Sequence, residues 1–575
     1  MSTELLIVFA TTTGNSEECA ITLDTELKSQ GFRTNVVNAE DFDASYELTT
    51  SSMIVFITAT YGEGEFPESA QELWTYLCQA SHQEGLLSHL NYAVFGLGST
   101  NFPNFCRAGI DLDSSLGSLG GNRILPVVTV DSSKPGAIQE NLDSFAEDLV
   151  AELPKFVGPP ADVVAQPPKA KYRYVEAIGE MSSIPPPPSG TVRSLVKSID
   201  MLTPADYSRP IFHVKLQTNL RYNIGDALSF QPINDPALVD KFLERLGLNP
   251  DDLITILSIS GTRSYPPRIT WRQFVSEHLG LTAIPTKRLC SEISWFAQGK
   301  DQERLKLWGT KDGAADLKSW CDDGNRVFDL FTEFPSLNLS PDMIITILPA
   351  SKGRLYSVAS SPNVHKNEVH LVVVMMSYTT RTGKVIEGSA TGTMARVYNQ
   401  LQEKPSTPCH VAVSFNPGTL KFPRDHSSPV ILFGLGVGLA PLLAHLEERD
   451  RLIKSGKKLG DCMLFYGCRH ESKDYIFRNS IENWVKSGAI TDLKVAFSHD
   501  QKEFITPLTL LDQDRVTPAK YLKDPNFCYF YCGPAMGIPA KIEKIFVEIC
   551  EGSGIDPEVV VTNAKKEFRW NVEAF

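Results

Sequence analysis

Short apolar runs alternate with longer polar stretches at both ends of this 575-residue chain. The polar stretches are long enough to form helices, and the apolar runs have the length of buried strands. This rhythm is typical of a doubly wound parallel sheet with helices on its faces, and it predicts one α/β domain at each end of the chain. The runs are Leu5–Phe9, Met53–Thr58, Tyr92–Phe95, Ile124–Val130, Val430–Phe433, Met463–Tyr466, Leu493–Phe497 and Tyr529–Tyr531.

The middle of the chain has a different pattern. Prolines are frequent between residues 151 and 190, including the run Pro185–Pro188, which predicts a semi-rigid linker. A β-rich segment follows from residue 191, then a mainly helical segment over about 240–340, and strand patterns return from residue 354. We therefore expect folded domains over residues 1–150, 191–420 and 421–575.

Three further features narrow the class of protein. The eleven cysteines lack the close spacing of a metal site, so we expect no metal and a reduced, cytoplasmic protein. No apolar run approaches the length of about 18 residues that a membrane span needs. The first residues carry no basic segment before their short apolar run, so we expect no signal peptide.

Charge is unevenly distributed along the chain. Residues 1–150 contain 5 Lys and Arg against 21 Asp and Glu, a balance of −16, whereas the whole chain carries −13. A solvated acidic surface is one interpretation. The other is a docking domain, because a field of this sign repels nucleic acid and raises association rates with a basic protein by about 10- to 1,000-fold. We expect a basic-faced protein partner and no nucleic acid.

Three loops in the first domain follow predicted strands, where ligands bind in a parallel α/β sheet. The first is a turn of hydroxyls and amides that leads into a helix, which suits a phosphate monoester although the P-loop lysine is absent. The other two loops offer Tyr61 and Phe102, aromatic rings able to stack on a planar ligand. A phosphate, a flat ring and an acidic surround together favour FMN. The candidate residues are Thr11, Thr12, Thr13, Gly14, Asn15, Ser16, Ala59, Thr60, Tyr61, Gly62, Leu97, Gly98, Ser99 and Phe102.

Further candidate binding segments lie in the second half. Arg354–Ser357 (RLYS) combines a cation with hydroxyls, and Gly388–Thr391 (GSAT) presents amides and a hydroxyl, so together they suit a diphosphate. Either segment alone is also consistent with an ordinary surface strand or turn. The glycine-rich turn in Ile431–Pro441 follows a predicted strand, but such a turn alone is weak evidence for a dinucleotide.

Taken in order, these motifs resemble those of the diflavin reductases. That family includes NADPH–cytochrome P450 reductases, sulfite reductase flavoproteins, cytosolic diflavin oxidoreductases and the reductase half of nitric oxide synthase. The resemblance covers nearly the whole chain, and it also rests on Tyr222–Asn234 and on the segments FYGCR, AFSHDQ and YFYCGP. It implies a flavodoxin-like sheet, then an antiparallel FAD-binding β-barrel with a helical connecting insert, then a Rossmann-like NADP-binding domain of the ferredoxin-reductase type.

The resemblance also implies individual roles. Asp131 would lie at the FMN site, and Ser357 and Cys532 would be catalytic, beside the reacting rings of FAD and nicotinamide. The residues implied for FAD are Arg354, Leu355, Tyr356, Ser357, Gly388, Ser389, Ala390, Thr391 and Phe575. Those implied for NADPH are Gly436, Val437, Gly438, Ser498, His499, Lys502 and Cys532.

The chain departs from the family pattern at the coenzyme site and near its C-terminal end. His499 stands where arginine is usual, which leaves Lys502 as the sure cation nearby, and Val437 replaces a hydroxyl-bearing residue. Asn571 lies where the family has a catalytic acid, and either Phe575 or Trp570 would cover the FAD ring.

From these residues we expect an NADPH-dependent diflavin reductase that delivers electrons through FAD and FMN to a protein acceptor. A cytochrome P450, cytochrome c or an iron–sulfur protein would serve as that acceptor. One alternative is the flavoprotein component of a sulfite-reductase-like complex, which the GLGxGLAP turn favours. An alternative of another class is a flavin-binding interaction protein that has lost turnover, which His499, Val437 and Asn571 would support.

Overall fold

The computed structural model describes residues 4–11, 14–61, 64–79, 81–83, 85–100, 104–134, 137–161, 166–179, 186–261, 263–423, 425–535 and 537–574. The chain divides into two compact units. One comprises residues 1–166 with 535–540, and the other comprises 167–534 with 541–575.

The first unit is a parallel sheet between two layers of helices. Its central strands pair in the order β2-β1-β3-β4, with β5 and β6 both pairing with β4, which is the flavodoxin-like arrangement. One apolar core lies on each face of the sheet, so its central strands β1, β3 and β4 are largely apolar on both sides. The strands are β1 Leu5–Ala10, β2 Thr34–Asn38, β3 Met53–Ala59, β4 Asn91–Gly98, β5 Asn122–Arg123 and β6 Val128–Asp131. The helices are α1 Asn15–Ser29, α2 Ala44–Thr50, α3 Gln71–Leu77, α4 Arg107–Ser118, α5 Ala137–Glu152 and α6 Pro154–Val157, with 3₁₀ turns at Ala39–Asp41 and Glu68–Ala70.

The core of this unit continues beyond residue 150. Leu153 and Val157 are both buried in it. The amide of Ala161 donates a hydrogen bond to the carbonyl of Gly31 at 3.0 Å. The proline-rich segment that follows contains a strand, β7 Tyr172–Glu176, which the sequence pattern did not indicate.

The second unit begins with antiparallel sheets. The larger sheet has the order β13-β10-β17-β8-β9-β14, and its end strands β13 and β14 also contact each other, so the sheet curls toward a barrel. A smaller sheet pairs β11 with β7 and β12. The further strands here are β8 Val192–Met201, β9 Ile211–Gln217, β10 Ala227–Phe230, β11 Leu253–Ser258, β12 Ile269–Thr270, β13 Arg354–Ser357, β14 Glu368–Val374, β15 Ser377–Thr379, β16 Val385–Glu387 and β17 His410–Asn416.

A helical segment is inserted between β10 and β13, as the sequence predicts. Its helices pack around buried aromatic and aliphatic side chains, among them Trp308 and Phe274, and form a core distinct from that of the larger sheet. The helices of this part are α7 Pro236–Leu246, α8 Trp271–Glu277, α9 Lys287–Ser294, α10 Gly299–Trp308, α11 Ala314–Asp322, α12 Val327–Glu333 and α13 Pro341–Ile347, and α14 Ser389–Glu403 follows β16.

The last part of the second unit is a parallel sheet in the order β20-β19-β18-β21-β22. The four strands expected from the sequence are present, and the fifth, at the C-terminal end, was not predicted. The strands are β18 Val430–Leu435, β19 Cys462–Cys468, β20 Asp492–Phe497, β21 Cys528–Gly533 and β22 Trp570–Ala574. The helices are α15 Ala440–Lys454, α16 Glu471–Asp474, α17 Arg478–Ser487, α18 Pro507–Gln513, α19 Val516–Leu522, α20 Ile538–Gly552 and α21 Asn563–Lys566, with a 3₁₀ turn at Gly436–Leu439 and a π-helical turn at Glu558–Thr562. Across the part of the chain that the structure describes, no helix combines the length and apolar character that a membrane crossing needs.

Candidate functional site

The carboxyl ends of β1, β3 and β4 meet at one edge of the first sheet. Because β3 pairs with both neighbours, the loops that begin at Thr11, Ala59 and Ser99 are brought together as the sequence predicts. The amide of Thr60 donates to the carbonyl of Leu97 at 2.8 Å, which ties two of these loops together. Thr12, Thr13, Gly62 and Phe102 lie outside the described residues, and the side chain of Tyr61 is half-buried.

The first loop has the features of a phosphate site. Gly14 adopts φ +89°, a left-handed conformation that favours glycine, and its amide donates to Thr11 Oγ1 at 2.8 Å. Helix α1 begins at Asn15, so the free amides of its first turn are directed toward this loop. The Ser16 hydroxyl is buried and has no hydrogen-bond partner among the described residues. Hydroxyls, amides and an unpartnered buried oxygen fit the phosphate group of FMN.

Asp131 connects two loops at this edge. Its carboxylate accepts hydrogen bonds from the hydroxyls of Thr100 and Ser133, both at 2.6 Å, and from their amides at 3.2 Å. Although burial alone would raise it, these bonds hold the pKa of Asp131 well below its usual range. Asp131 therefore fixes the loop after β4, which is the loop that leads to Phe102.

The two segments expected to bind FAD provide a cation on a strand of the larger antiparallel sheet and the start of a helix. Arg354, exposed at the start of β13, donates to the carbonyls of Lys352 and Gly353 and pairs with no carboxylate among the described residues. Helix α14 begins at Ser389, directly after Gly388, and its first-turn amides have no side-chain cap. An unpaired guanidinium and free helix amides fit a diphosphate.

The other residues of this segment differ in environment. Burial raises the pKa of Tyr356 to about 12, so its hydroxyl stays protonated. Thr391 is buried, and its hydroxyl donates to the carbonyl of Gly388 at 3.3 Å. Leu355 is exposed, whereas Ala390 is buried in the core of the sheet.

The carboxylate of Glu573 contacts both expected catalytic residues, Ser357 and Cys532. Ser357 Oγ donates a hydrogen bond to Glu573 Oε1, and Thr419 Oγ1 donates to Glu573 Oε2 at 3.0 Å. Cys532 Sγ lies 3.5 Å from Glu573 Oε1. The register of β21 and β22 explains this contact, because Cys532 and Glu573 are direct neighbours across the two strands.

Asn571 does not occupy the position expected for it. Its Oδ1 accepts a hydrogen bond from the Lys421 amide, and its Nδ2 donates to the carbonyl of Phe568, both at 3.0 Å. The side chain is buried and used for these backbone contacts. The acid beside Ser357 and Cys532 is two residues further along the chain than the sequence comparison placed it.

Of the two candidate C-terminal aromatics, Trp570 lies within the described residues. Trp570 is buried and packs on Tyr529, with ring centroids 4.2 Å apart, and on Phe546 at 5.7 Å. Its ring is therefore part of the core of the last sheet and does not face a cofactor. Phe575 lies outside the described residues.

The Cys532 thiol is protonated at neutral pH. Burial, reinforced by the neighbouring Glu573 carboxylate, raises the pKa of Cys532 well above its usual range. A neutral thiol beside the carboxylate donates a weak hydrogen bond and is a poor nucleophile, which favours a packing role over covalent chemistry.

The glycine-rich turn after β18 packs closely on β21. A Cβ at Gly438 would lie 2.1 Å from the Cys532 carbonyl oxygen, so only glycine allows this approach. Gly436 adopts φ +59°, and Val437 packs on the apolar core of the sheet. The turn therefore brings backbone amides next to Cys532.

The loop after β20 holds the residues expected to bind the coenzyme 2′-phosphate. Ser498 Oγ and His499 Nδ1 are 2.7 Å apart, and Lys502 is exposed and forms no ion pair within the described ranges. His470 Nδ1 lies 2.8 Å from Asp500 Oδ1, and the rings of His470 and His499 are 5.6 Å apart. His470 and Asp500 were not predicted from the sequence because they lie on two different loops.

Comparisons with known proteins agree with this arrangement. Residues 7–145 match the flavodoxin family, and residues 189–392 match the FAD binding domain family. The chain is 27% identical to the NADPH–cytochrome P450 reductase of Rattus norvegicus over 95% of this chain and 84% of that protein. It is 28% identical to that of Musca domestica over 96% and 85%. It is also 27% identical to the mitochondrial pyruvate dehydrogenase [NADP(+)] of Euglena gracilis, covering 99% of this chain but only 31% of that protein.

A flavodoxin domain joined to an FAD-binding domain and a parallel five-stranded sheet defines a two-flavin electron-transfer protein. The chain belongs to the diflavin reductase family. It is an NADPH-dependent reductase of the cytochrome P450 reductase type, and its cofactors are FMN, FAD and NADPH, as the sequence predicts.

Proposed function

We propose that this enzyme delivers electrons to a protein acceptor with a basic face, carrying a haem or an iron–sulfur centre, which docks on the FMN-binding unit. The observation that carries the proposal is the charge of −16 on residues 1–150, when the rest of the chain is close to neutral. Exposed acids lie near the carboxyl edge of the first sheet, including Glu17 at the start of α1 and Glu68 in the turn that contacts β1. An acidic rim of this kind steers a basic partner toward the flavin edge.

We further propose that Ser357, Cys532 and Glu573 form the hydride-transfer site. When bound, the flavins would supply the redox chemistry, with hydride uptake at FAD and single-electron transfer at FMN. Glu573 orients the Ser357 hydroxyl by accepting a hydrogen bond from it. The negative charge of the Glu573 carboxylate would favour a nicotinamide ring that gains positive charge. The Cys532 thiol fills the space beside this group and excludes water.

The domain assignments follow from the same contacts. We propose that residues up to 161 bind FMN, that 191–420 bind FAD, and that 421–574 bind NADPH. The role of Thr11, Gly14 and Ser16 in holding FMN phosphate is supported by the unpartnered Ser16 hydroxyl and the first-turn amides of α1. The role of Arg354 and α14 in holding FAD diphosphate is supported by a guanidinium without an ion pair among the described residues and by uncapped helix amides.

Steady-state reduction of cytochrome c, a basic haem protein, by NADPH tests whether electrons reach the acceptor through the FMN-binding unit. The full chain should reduce both cytochrome c and ferricyanide, a small anion able to take electrons from either flavin. A fragment of residues 167–575 should still reduce ferricyanide and lose cytochrome c reduction, because it lacks the FMN unit. If that fragment reduced cytochrome c as fast as the full chain, delivery through the FMN unit would be wrong.

A further inference from the structure

Three ligand-type side chains lie close together in the second unit, and a fourth, Glu447, contacts one of them. His365 lies in the loop before β14, Glu368 and His370 lie on β14, and Glu447 lies on α15. The ligand atoms of His365, Glu368 and His370 all lie within 4.8 Å of one another. We propose that these four side chains form a binding site for a zinc ion. The spacing of the cysteines predicts no metal, but this cluster contains no cysteine.

The distances suit a tetrahedral ion. Zinc lies about 2.0–2.2 Å from nitrogen and oxygen ligands, so neighbouring ligand atoms in a tetrahedral site are about 3.3–3.5 Å apart. His365 Nε2 is 3.1 Å from Glu447 Oε1, and His370 Nε2 is 2.8 Å from Glu368 Oε1. Each pair is already close, but the spacing of up to 4.8 Å among His365, Glu368 and His370 must contract by up to about 1.3 Å for these atoms to surround one ion.

Glu368 and Glu447 each use one carboxylate oxygen for a contact outside the cluster and direct the other oxygen at a histidine. Glu368 Oε2 is engaged by the Lys197 ammonium, and Glu447 Oε2 accepts the Ser361 amide at 2.9 Å. The remaining oxygens, both Oε1, are those next to the imidazoles. Outer contacts that fix ligand orientation in this way are typical of metal sites.

Other charged and titratable groups face the cluster. His213 on β9 packs edge-on against His370, with ring centroids 4.8 Å apart. Lys215 acts on His365 and His213 through its charge. Lys215 and Lys197 partly neutralise the charge of the Glu368 and Glu447 carboxylates. The remaining negative charge favours binding of one divalent ion over binding of several.

The environment resembles a closed structural site more than an open catalytic one. The His370 and Glu368 side chains are 7% and 16% exposed, whereas His365 and Glu447 are 28% and 20% exposed and provide the entry path. Since β14 belongs to the antiparallel sheet and α15 to the nucleotide-binding part, a bound ion would link the two within the second unit. If Glu447, which contacts His365, completes the set, the four protein ligands would leave no vacant position, which indicates a structural role.

The experiment uses the full-length holoenzyme and zinc chloride as the probe. Wild type, the double variant His365→Ala/His370→Ala, Glu368→Gln and the control His410→Ala, a half-buried histidine on β17, are incubated with zinc, dialysed at neutral pH and analysed for metal and FAD. We expect wild type and His410→Ala to retain about one zinc ion per chain more than the double variant, and Glu368→Gln to bind at least about tenfold more weakly. Equal zinc in wild type and the double variant would overturn the proposal. Should the double variant lose its FAD, the near-isosteric Glu368→Gln decides in the same way: unchanged affinity overturns the site, and weakened affinity supports it.

Discussion

The carboxylate of Glu573 accepts a hydrogen bond from the hydroxyl of Ser357, although the two residues are 216 positions apart in the chain. Ser357 ends β13 in the antiparallel sheet, and Glu573 lies on β22 at the edge of the parallel sheet. The same carboxylate lies beside Cys532 on the neighbouring strand. One side chain thus connects the part of the unit that should hold FAD with the part that should hold the nicotinamide.

Glu573→Gln should slow the reduction of FAD by NADPH about 100-fold, the scale on which enzymes lose rate when one group that stabilises developing charge is removed. The amide keeps the size of the side chain but removes its negative charge. Anaerobic stopped-flow measurement of flavin absorbance gives this rate directly, and FAD content measured in parallel shows that the cofactor is retained.

Asn571→Ala is the matched comparison on the same strand. It removes contacts to Lys421 and Phe568 and should lower the free energy of unfolding by about 1–3 kcal/mol while leaving hydride transfer nearly unchanged. If Asn571→Ala slowed hydride transfer and Glu573→Gln did not, the acid would be misassigned.

The sequence predicts strands well where they are apolar on both faces and central in a sheet. The predicted run Met53–Thr58 and the observed Met53–Ala59 differ by one residue, because a strand buried on both sides is apolar throughout. The edge strand β22 mixes polar and apolar residues and was missed, and Glu573 was missed with it. Acid and amide side chains both lie near the end of the chain. Only the pairing of β22 with β21 determines that Glu573 is the one opposite Cys532.

Site residues were likewise missed where they are brought together only by the fold. Thr11 and Gly14 could be proposed from the sequence because a strand, a turn and a helix start are all local features. His470 and Asp500 were not found, since they meet only when the loops after β19 and β20 lie side by side. Likewise β7, within the proline-rich segment, exists because β11 pairs with it, and no local pattern encodes that partner.

Asp131→Asn should destabilise a fragment of residues 1–161 by about 2 kcal/mol at neutral pH, since hydrogen bonds to a charged acceptor contribute about 1.5–3 kcal/mol. The pKa of Asp131 is lower in the folded protein than in the unfolded chain, so its stabilisation is present above about pH 4 and is lost as pH falls through the folded pKa. Urea unfolding of both proteins should therefore show a difference that shrinks in acid. A difference independent of pH would mean that the charge of Asp131 does not matter.

Glu68→Lys should lower kcat/KM for cytochrome c severalfold at low ionic strength, because Glu68 lies exposed near the FMN edge. The effect should fade with added salt, since the screening length falls from about 10 Å at 0.1 M to about 3 Å at 1 M. Glu147→Lys, an exposed position about 15 Å along α5 from that edge, changes net charge equally and should have a smaller effect. Equal effects of the two variants would contradict docking at the FMN edge.

His499→Arg should raise the preference for NADPH over NADH about tenfold, which corresponds to roughly 1.4 kcal/mol. An arginine binds a phosphate through two parallel hydrogen bonds, whereas His499 already shares its Nδ1 with the Ser498 hydroxyl. Asp500, beside it, is ionised, because hydrogen bonds from the Glu471 amide and His470 lower its pKa, so its charge opposes phosphate binding in the wild type.

The measurement for this substitution is kcat/KM with each coenzyme under the same conditions. Val485→Arg serves as the control, because it adds the same charge on α17, near the amino end of β20 and away from Ser498, and should leave the ratio unchanged. If His499→Arg changed the NADPH to NADH ratio no more than Val485→Arg does, residue 499 would not face the 2′-phosphate. Recognition would then rest on Ser498 and Lys502, and a variant at Lys502 would show the larger loss.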